Sequence, residues 1–424
     1  MIAGWQRRFA AGVYLTVSPL SCSPTTGVDD DGQEVSGRVV DTGQQLCYDN
    51  LRSIACPSAG APYYGQDAQH AGRAPRYLNN ENGSVTDLNT GLMWQQSPDQ
   101  NGDGSIDSAD KLTFQEAVAQ AQAVSLAGHR DWRLPTIREL YSLMDFRGLD
   151  LDPNRPPGPG SVPFIDTLYF RFAYGDPSAG ERVIDAQFAT STRYVNTTMD
   201  GNATMFGVNF ADGRIKGYPT DPFPLYPNGM RFYVRYVRGN PGYDVNLFRD
   251  NGNGTVTDAS TGLQWSRDDS GVGLDWAQAL AWVQQKNSEA YLGHRDWRLP
   301  NVKELHSIVD YSRAPGAGNS AALDPVFWIT GITNEAGQPD YPAFWSSTTH
   351  ASGTATSGAA AAYVCFGRCL GYMESRWLDV HGAGAQRSDP KSGDPGAWPF
   401  GHGPQGDAIR IYNFVRLVRD AATS

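Results

Sequence analysis

GHRDWRLP stands at residues 128–135 and again, letter for letter, at residues 293–300. An octamer repeated without change marks a duplicated unit, and the match runs outward from it in both directions. Upstream, NGSVTDLNTGLMW (82–94) parallels NGTVTDASTGLQW (253–265). Downstream, TIRELYSLMD (136–145) parallels NVKELHSIVD (301–310). Each half also closes alike, on RFYVRYVRG (231–239) and IYNFVRLVRD (411–420). Two unequal copies with loops of different length form a tandem pair rather than a solenoid. The chain therefore divides into an export segment (1–22), an N-terminal segment (23–75), a first domain (76–240) and a second domain (241–424).

Local patterns give each copy the same course. The V-T-D…T-G-L-x-W stretch alternates and is bounded by Asn-Gly, which predicts strand, turn, strand. A helix follows, over 112–124 in copy one and 274–285 in copy two. Phe114, Ala117, Val118 and Ala121 fall at i, i+3, i+4 and i+7 and make one apolar face. A second helix begins after Pro135 and Pro300, residues suited to a helix start. Ile137, Leu140, Leu143 and Met144 line its buried side, as do Val302, Leu305, Ile308 and Val309. Arg133 with Glu139, and Arg298 with Glu304, read as structural ion pairs at that helix start. The rest is short strands and long Gly/Pro loops, ending in an alternating strand expected to be central. Two helices beside a small, mostly antiparallel sheet make an α+β domain, twice over.

The ordered set of W-R-L-P leading into a helix, F-W-S-S-T at 344–348 (F-A-T-S-T at 188–192) and a terminal V-R-x-V-R resembles the Lcl C-terminal domain. That resemblance, running from about residue 40 to the end, implies a C-type-lectin-like fold. It also implies an exported or surface-attached bacterial binding module, sometimes on lipoproteins and sometimes recognising glycans. It names no ligand, because function resides in a site and not in a fold.

Composition narrows the classes. Lys and Arg number 34 against 45 Asp and Glu, a net charge of −11 with no basic stripe, which argues against nucleic acid as a partner. No apolar run approaches the roughly 18 residues of a membrane-spanning helix. The start, MIAGWQRRFAAGVYLTVSPLSC, places Arg7 and Arg8 before an apolar stretch and then Cys22, as in a secretory signal. Cysteine at that place also suits a lipid anchor on Cys22, hence attachment to the cell envelope as a lipoprotein. The other four cysteines pair by proximity as Cys47 with Cys56 and Cys365 with Cys369, disulfides fitting an oxidising compartment.

DQNGDGSIDSAD (99–110) has the spacing of a calcium loop. Asp99, Asn101, Asp103, Ser105, Asp107 and Asp110 take positions 1, 3, 5, 7, 9 and 12, with Gly104 at the sharp turn. Copy two lacks the loop, so one structural calcium is expected, in domain one only. DNGNGTVTD (250–258) does not keep the spacing.

Catalytic constellations are scarce. The lectin-like fold also carries formylglycine-generating enzymes that use a cysteine pair, so an oxidase using Cys365 and Cys369 is the alternative. A cross-strand disulfide flanking a tight hairpin is the simpler reading. Gln338-Pro339-Asp340 matches a sugar-selecting tripeptide of true C-type lectins, but its Trp-Asn-Asp partner is missing. The seven histidines form no HxxH or HExxH pattern. The reading is thus an exported binding module for a glycan or protein ligand, not an enzyme. Its expected ligand face is the insertion at about 372–406 with Trp377, His381, Arg387, Trp398 and His402. A purely structural envelope protein is a further alternative.

Overall fold

The computed structural model describes residues 38–224 and 226–421. The export segment and Cys22 lie outside the described residues. An N-terminal segment carries the short pair β1 (Cys47–Tyr48) and β2 (Ser53–Ile54). Copy one follows as β3 (Tyr77–Asn79), β4 (Ser84–Asp87), β5 (Met93–Gln95), α1 (Phe114–Ala121) and α2 (Ile137–Ser142). It continues with β6 (Gln187–Phe188), β7 (Arg193–Thr198), β8 (Asn202–Asn209), β9 (Arg214–Pro219) and β10 (Val237–Arg238). Copy two repeats the order with β11 (Phe248–Asp250), β12 (Thr255–Asp258), β13 (Leu263–Ser266), α3 (Trp276–Ser288) and α4 (Val302–Ser307). Then come β14 (Ile332–Thr333), β15 (Pro339–Asp340), β16 (Ala343–Thr349), β17 (Ala360–Cys365), β18 (Leu370–Met373), β19 (Arg376–Asp379), β20 (Gln386–Pro390) and β21 (Val418–Asp420).

The class is α+β, with four α-helices among the described residues and strands paired in antiparallel sheets. Helix α2 starts where the proline dictates. Thr136 follows Pro135 as N-cap and accepts from the Glu139 amide, while Glu139 reaches back to the Thr136 amide. Asn301 and Glu304 repeat this box on α4. The predicted ion pairs are present too, Arg133–Glu139 at 2.5 Å and Arg298–Glu304 at 2.7 Å. Both lock the octamer to the helix it introduces.

Two sequence expectations change. Val118 is 42% exposed, so the apolar face of α1 is narrower than its spacing implies. The terminal strands β10 and β21 lie at the edges of their four-stranded sheets, not at the centre. They are buried all the same: Phe232 to Val237 are inaccessible to solvent. Bridges to Leu112, Phe188 and Arg133 cover the side that the ladder leaves open.

The two copies are not beads on a string. Strands run β16-β17-β20-β9-β8-β6 in one seven-stranded sheet, with β7 on β8, so that sheet passes from copy two into copy one at the β20–β9 seam. One hydrophobic cluster spans both copies, joining Phe164, Phe206 and Tyr194 to Trp345, Tyr363 and Trp276. Helices α2 and α4 meet across the seam, with the Tyr141 and His306 rings 4.6 Å apart. Equivalent cations then cross over. Arg138 donates to the Val309 carbonyl at 2.5 Å, and Lys303 donates to the Ser142 carbonyl at 2.8 Å.

The N-terminal segment straps this assembly. The Phe146 amide of copy one donates to the Thr42 carbonyl at 2.7 Å. Gln44 exchanges hydrogen bonds with the backbone of Thr349 in copy two, at 2.7 and 2.9 Å. The Cys47–Cys56 disulfide is formed. Asp67 is buried and accepts from the hydroxyls of Thr42 and Thr348 at 2.8 and 2.5 Å. Burial raises its carboxyl to about 7, against an ordinary value of about 3.9. Between those values the folded chain keeps a proton that the unfolded chain has released, so this group lowers stability as pH rises from about 4 to 7. Asp67→Asn should match the parent near pH 4 and exceed its stability at pH 8, read as urea midpoints. A parent more stable than the variant at pH 8 would contradict this.

Candidate functional site

In copy one, β8 and β9 form a simple hairpin turning at Asp212 and Gly213. Their counterparts in copy two are β17 and β20, and between those the chain grows a second hairpin, β18–β19. The disulfide Cys365–Cys369 joins the last residue of β17 to the residue before β18, so it closes the base of this insertion. The cysteines do not flank a tight hairpin, because β17 pairs with β16 and β20 and never with β18. Both are buried, at 0% and 4% exposure.

The insertion is anchored to copy one. Tyr194 donates its hydroxyl to Asp379 at 2.7 Å, and Asp379 also accepts from the amides of Cys369 and Gly382. Burial raises the Asp379 carboxyl to about 6. Beside it lies a chain of buried and half-buried charges along the seam. His381 Nε2 lies 2.9 Å from the Asp407 carboxylate, which also pairs with Arg387. Lys216 holds Asp212 at 2.5 Å, and Arg214 holds Asp150 at 2.7 Å. Burial, then the neighbouring Arg387, lowers the His381 imidazole to about 4, so it is neutral at pH 7. Burial opposes the Asp407 charge, but the Arg387 guanidinium and the hydrogen bond with His381 outweigh it and hold that carboxyl well below the usual range.

His381 and Arg387 are therefore seam residues and not part of an exposed ligand face. Trp377, Trp398 and His402 do reach the surface. Trp377 packs on Tyr372 at 5.3 Å, and Tyr372 on Phe400 at 4.8 Å. Phe400 is 61% exposed. His402 follows it on the same loop, where its backbone pairs with that of Asp407, while Trp398 caps the turn Pro395–Ala397. The result is a cluster of edge-on and tilted aromatic rings that joins the stapled hairpin to the loop carrying Phe400. Sequence reasoning missed Tyr372 and Phe400. The signal for Tyr372 was there, since it pairs with Trp377 across the tight turn of β18–β19, whose Glu374 and Ser375 both adopt positive φ.

Comparison with known families matches residues 83–238 and 254–380 to the Lcl C-terminal domain. The chain belongs to this family. No curated protein and no solved structure matches it. Two tandem Lcl C-terminal domains and closed disulfides are consistent with an exported, cell-envelope-associated protein. Among the described residues, no helix is long and apolar enough to cross a membrane. The second match ends at 380, so β20, the loop carrying Phe400 and β21 lie beyond it.

The other sequence candidates sit elsewhere in the Lcl C-terminal pair. The acidic loop of the first domain wraps around its own amides. Asp99 accepts from Gly102 and Gly104, Asn101 from Asp103, Asp103 from Ser105, and Asp107 from Ala109. Asp110 is buried and accepts from Gln100, Asn101 and Asp107. A 3-10 turn, Ser108–Asp110, follows Asp107. Among the described residues, no three acidic, His or Cys side chains gather as a metal-ligand set. Asp340 of the Gln-Pro-Asp tripeptide is buried and bonded to Asn334 and to the Arg368 amide, so it points inward and not at a sugar.

The most unusual residues of the family motif are the first arginines of V-R-x-V-R. Arg235 and Arg416 are 0% and 1% exposed. Arg416 donates to the carbonyls of Ser266, Arg267 and Trp328 and lies between the Phe327 and Phe344 rings. Arg235 makes the same set to Gln95, Gln96 and Arg171, between Phe170 and Phe188. Burial lowers them to about 10 and about 9, so both remain charged at pH 7.

Proposed function

We propose that the protein is an exported cell-envelope binding module, with C-type-lectin-like domains, that recognises a glycan or protein ligand through the loops of its second domain. The observation that carries this is the Tyr372–Trp377–Phe400 cluster, in which the exposed Phe400 packs on the half-buried rings of a hairpin fixed at its base by Cys365–Cys369. Aromatic faces with polar edges supply contact area at low entropic cost, whether to a sugar ring or to a protein surface. The adjacent His402 and Trp398 add polar and apolar contacts at the rim. An oxidase using Cys365 and Cys369 would need both thiols free and reachable, and here they are bonded and buried.

Binding to a glycan array, with the parent and a Trp377→Ala/Phe400→Ala variant, tests the reading. Loss of two central aromatics costs about 2 kcal/mol or more at an interface hot spot, so the variant should bind at least tenfold more weakly. Equal binding by both proteins would place the ligand site elsewhere.

Calcium in the first domain belongs to the same reading. Asp99, Asn101, Asp103, Ser105, Asp107 and Asp110 would hold the ion. A carboxylate oxygen that accepts one amide keeps a second lone pair, so the amide bonds above do not exhaust the loop. An ion there would stiffen the entry to α1. With affinity at the weak end, about 10⁻⁴ to 10⁻³ M, 10 mM calcium should stabilise the fold by about 1.4–2.7 kcal/mol. Asp103→Ala, at an exposed position, should abolish that gain in a thermal melt. A gain that survives the substitution would mean the ion binds elsewhere.

A further inference from the structure

The two copies part company in the span between the first sheet and the first helix. Copy one fills it with residues 96–113, the acidic loop among them, while copy two has only residues 267–275. The shorter span is held from both sides. Asp269 accepts from the Gly271 amide and from the amide and hydroxyl of Thr330. The Ser270 amide donates to the Val415 carbonyl, and the Ser270 hydroxyl accepts from the Val415 amide.

Three apolar side chains stand in water on this rigid span and its two neighbours: Val272 at 54%, Trp328 at 63% and Tyr412 at 52% exposure. The Trp328 amide donates to the Arg267 carbonyl at 3.0 Å, and a β-carbon at Gly273 would lie 3.1 Å from Tyr412 Cβ. The fold does not ask for aromatic rings here. Arg235 bonds the Arg171 carbonyl as Arg416 bonds that of Trp328, so arginine holds the Trp328 position in copy one. The V-R-x-V-R alignment likewise puts Arg231 at the Tyr412 position. Rings left half in water where the sibling copy carries arginine contribute little to folding, and grouped they mark a docking surface.

The charges around them are of one sign. Asp268 and Asp394 are exposed, and Asp394 follows Gly393, whose carbonyl accepts from the Tyr412 hydroxyl at 3.5 Å. The neighbouring cations are committed: Arg267 to Asp250 at 3.6 Å, Lys286 to Glu289 at 3.1 Å and Arg410 to Glu335 at 2.8 Å.

We propose that this surface docks a separate protein through a segment that mixes apolar residues with Lys or Arg. The apolar groups cover Trp328, Val272 and Tyr412, and the cations meet Asp268 and Asp394. Charge complementarity selects that partner over a second copy of this chain, whose net charge is −11 and whose matching surface is also acidic. The inference rests on the binding-module reading of the second domain and gives it a partner class at residues other than the hairpin cluster.

A random peptide library displayed on phage, panned against the full disulfide-closed chain, tests this. The comparison is a Trp328→Arg/Tyr412→Arg variant, which carries the copy-one residue at both exposed positions and should melt at the parent's temperature. Enriched peptides should combine Lys or Arg with apolar residues, bind the variant at least about tenfold more weakly, and weaken in high salt. The Trp377→Ala/Phe400→Ala variant should bind them as the parent does, which separates this surface from the hairpin. No enriched peptide, peptides without Lys or Arg, or binding that Trp328→Arg/Tyr412→Arg leaves unchanged overturns the proposal. A parent dimer that this variant abolishes, seen by sedimentation, also overturns it by assigning the surface to self-association.

Discussion

Arg416→Met should be among the most damaging single substitutions in the chain. The guanidinium satisfies three backbone carbonyls, of Ser266 and Arg267 at the end of β13 and of Trp328 on a separate loop. Methionine fills much of the same volume between Phe327 and Phe344 but donates nothing. Each buried carbonyl left without a partner costs about 1–3 kcal/mol, so a loss of about 4 kcal/mol is expected, a large part of the 5–15 kcal/mol typical of a folded domain. Lysine keeps the charge, yet one ammonium cannot reproduce the planar fork, so Arg416→Lys should fall between the two. Urea unfolding measures this directly. A loss below about 1 kcal/mol would mean that water replaces the arginine at those carbonyls.

Gly217→Val is the second large expectation, and it addresses the seam. A β-carbon at Gly217 would lie 2.6 Å from the His381 carbonyl oxygen and 2.9 Å from Thr204 Cγ2. Strand β9 can approach the copy-two insertion only because this position has no side chain. Valine must push the two copies apart, where overpacking ordinarily costs about 1–3 kcal/mol. The neighbouring charges make the upper end the expectation. Asp212, Lys216, His381 and Arg387 are all buried or nearly so and lean on one another across that line. Gly217→Ala should show the same effect at smaller size. Unchanged unfolding midpoints for both variants would contradict the described seam.

Much of this architecture was legible in the sequence, for identifiable reasons. The octamer, the helix start after Pro135 and Pro300, the ion pairs and the apolar stripe of α2 and α4 are local, so pattern and spacing reveal them. The Cys47–Cys56 and Cys365–Cys369 pairings follow from proximity along the chain. The shared sheet was not legible, because it depends on β9 meeting a strand about 170 residues away, and nothing in either strand names its neighbour. His381 and Arg387 misled for a related reason. Polar residues in a Gly-rich loop read as exposed, and their partner Asp407 lies 26 and 20 residues further on. Val118 obeys helical periodicity, yet the surface it would bury against in copy two comes from the strap and is missing in copy one. Tandem duplication predicts equivalence, and it cannot foretell the places where the copies differ, the acidic loop of copy one and the inserted hairpin of copy two.

The central claim is that two family domains are fused through one sheet and one core into a single body. Differential scanning calorimetry of the whole disulfide-closed chain tests it most directly. A single transition, with calorimetric and van't Hoff enthalpies equal, is the predicted result. Two resolved transitions, each of about half the total enthalpy, would show that the copies unfold independently and would contradict the account.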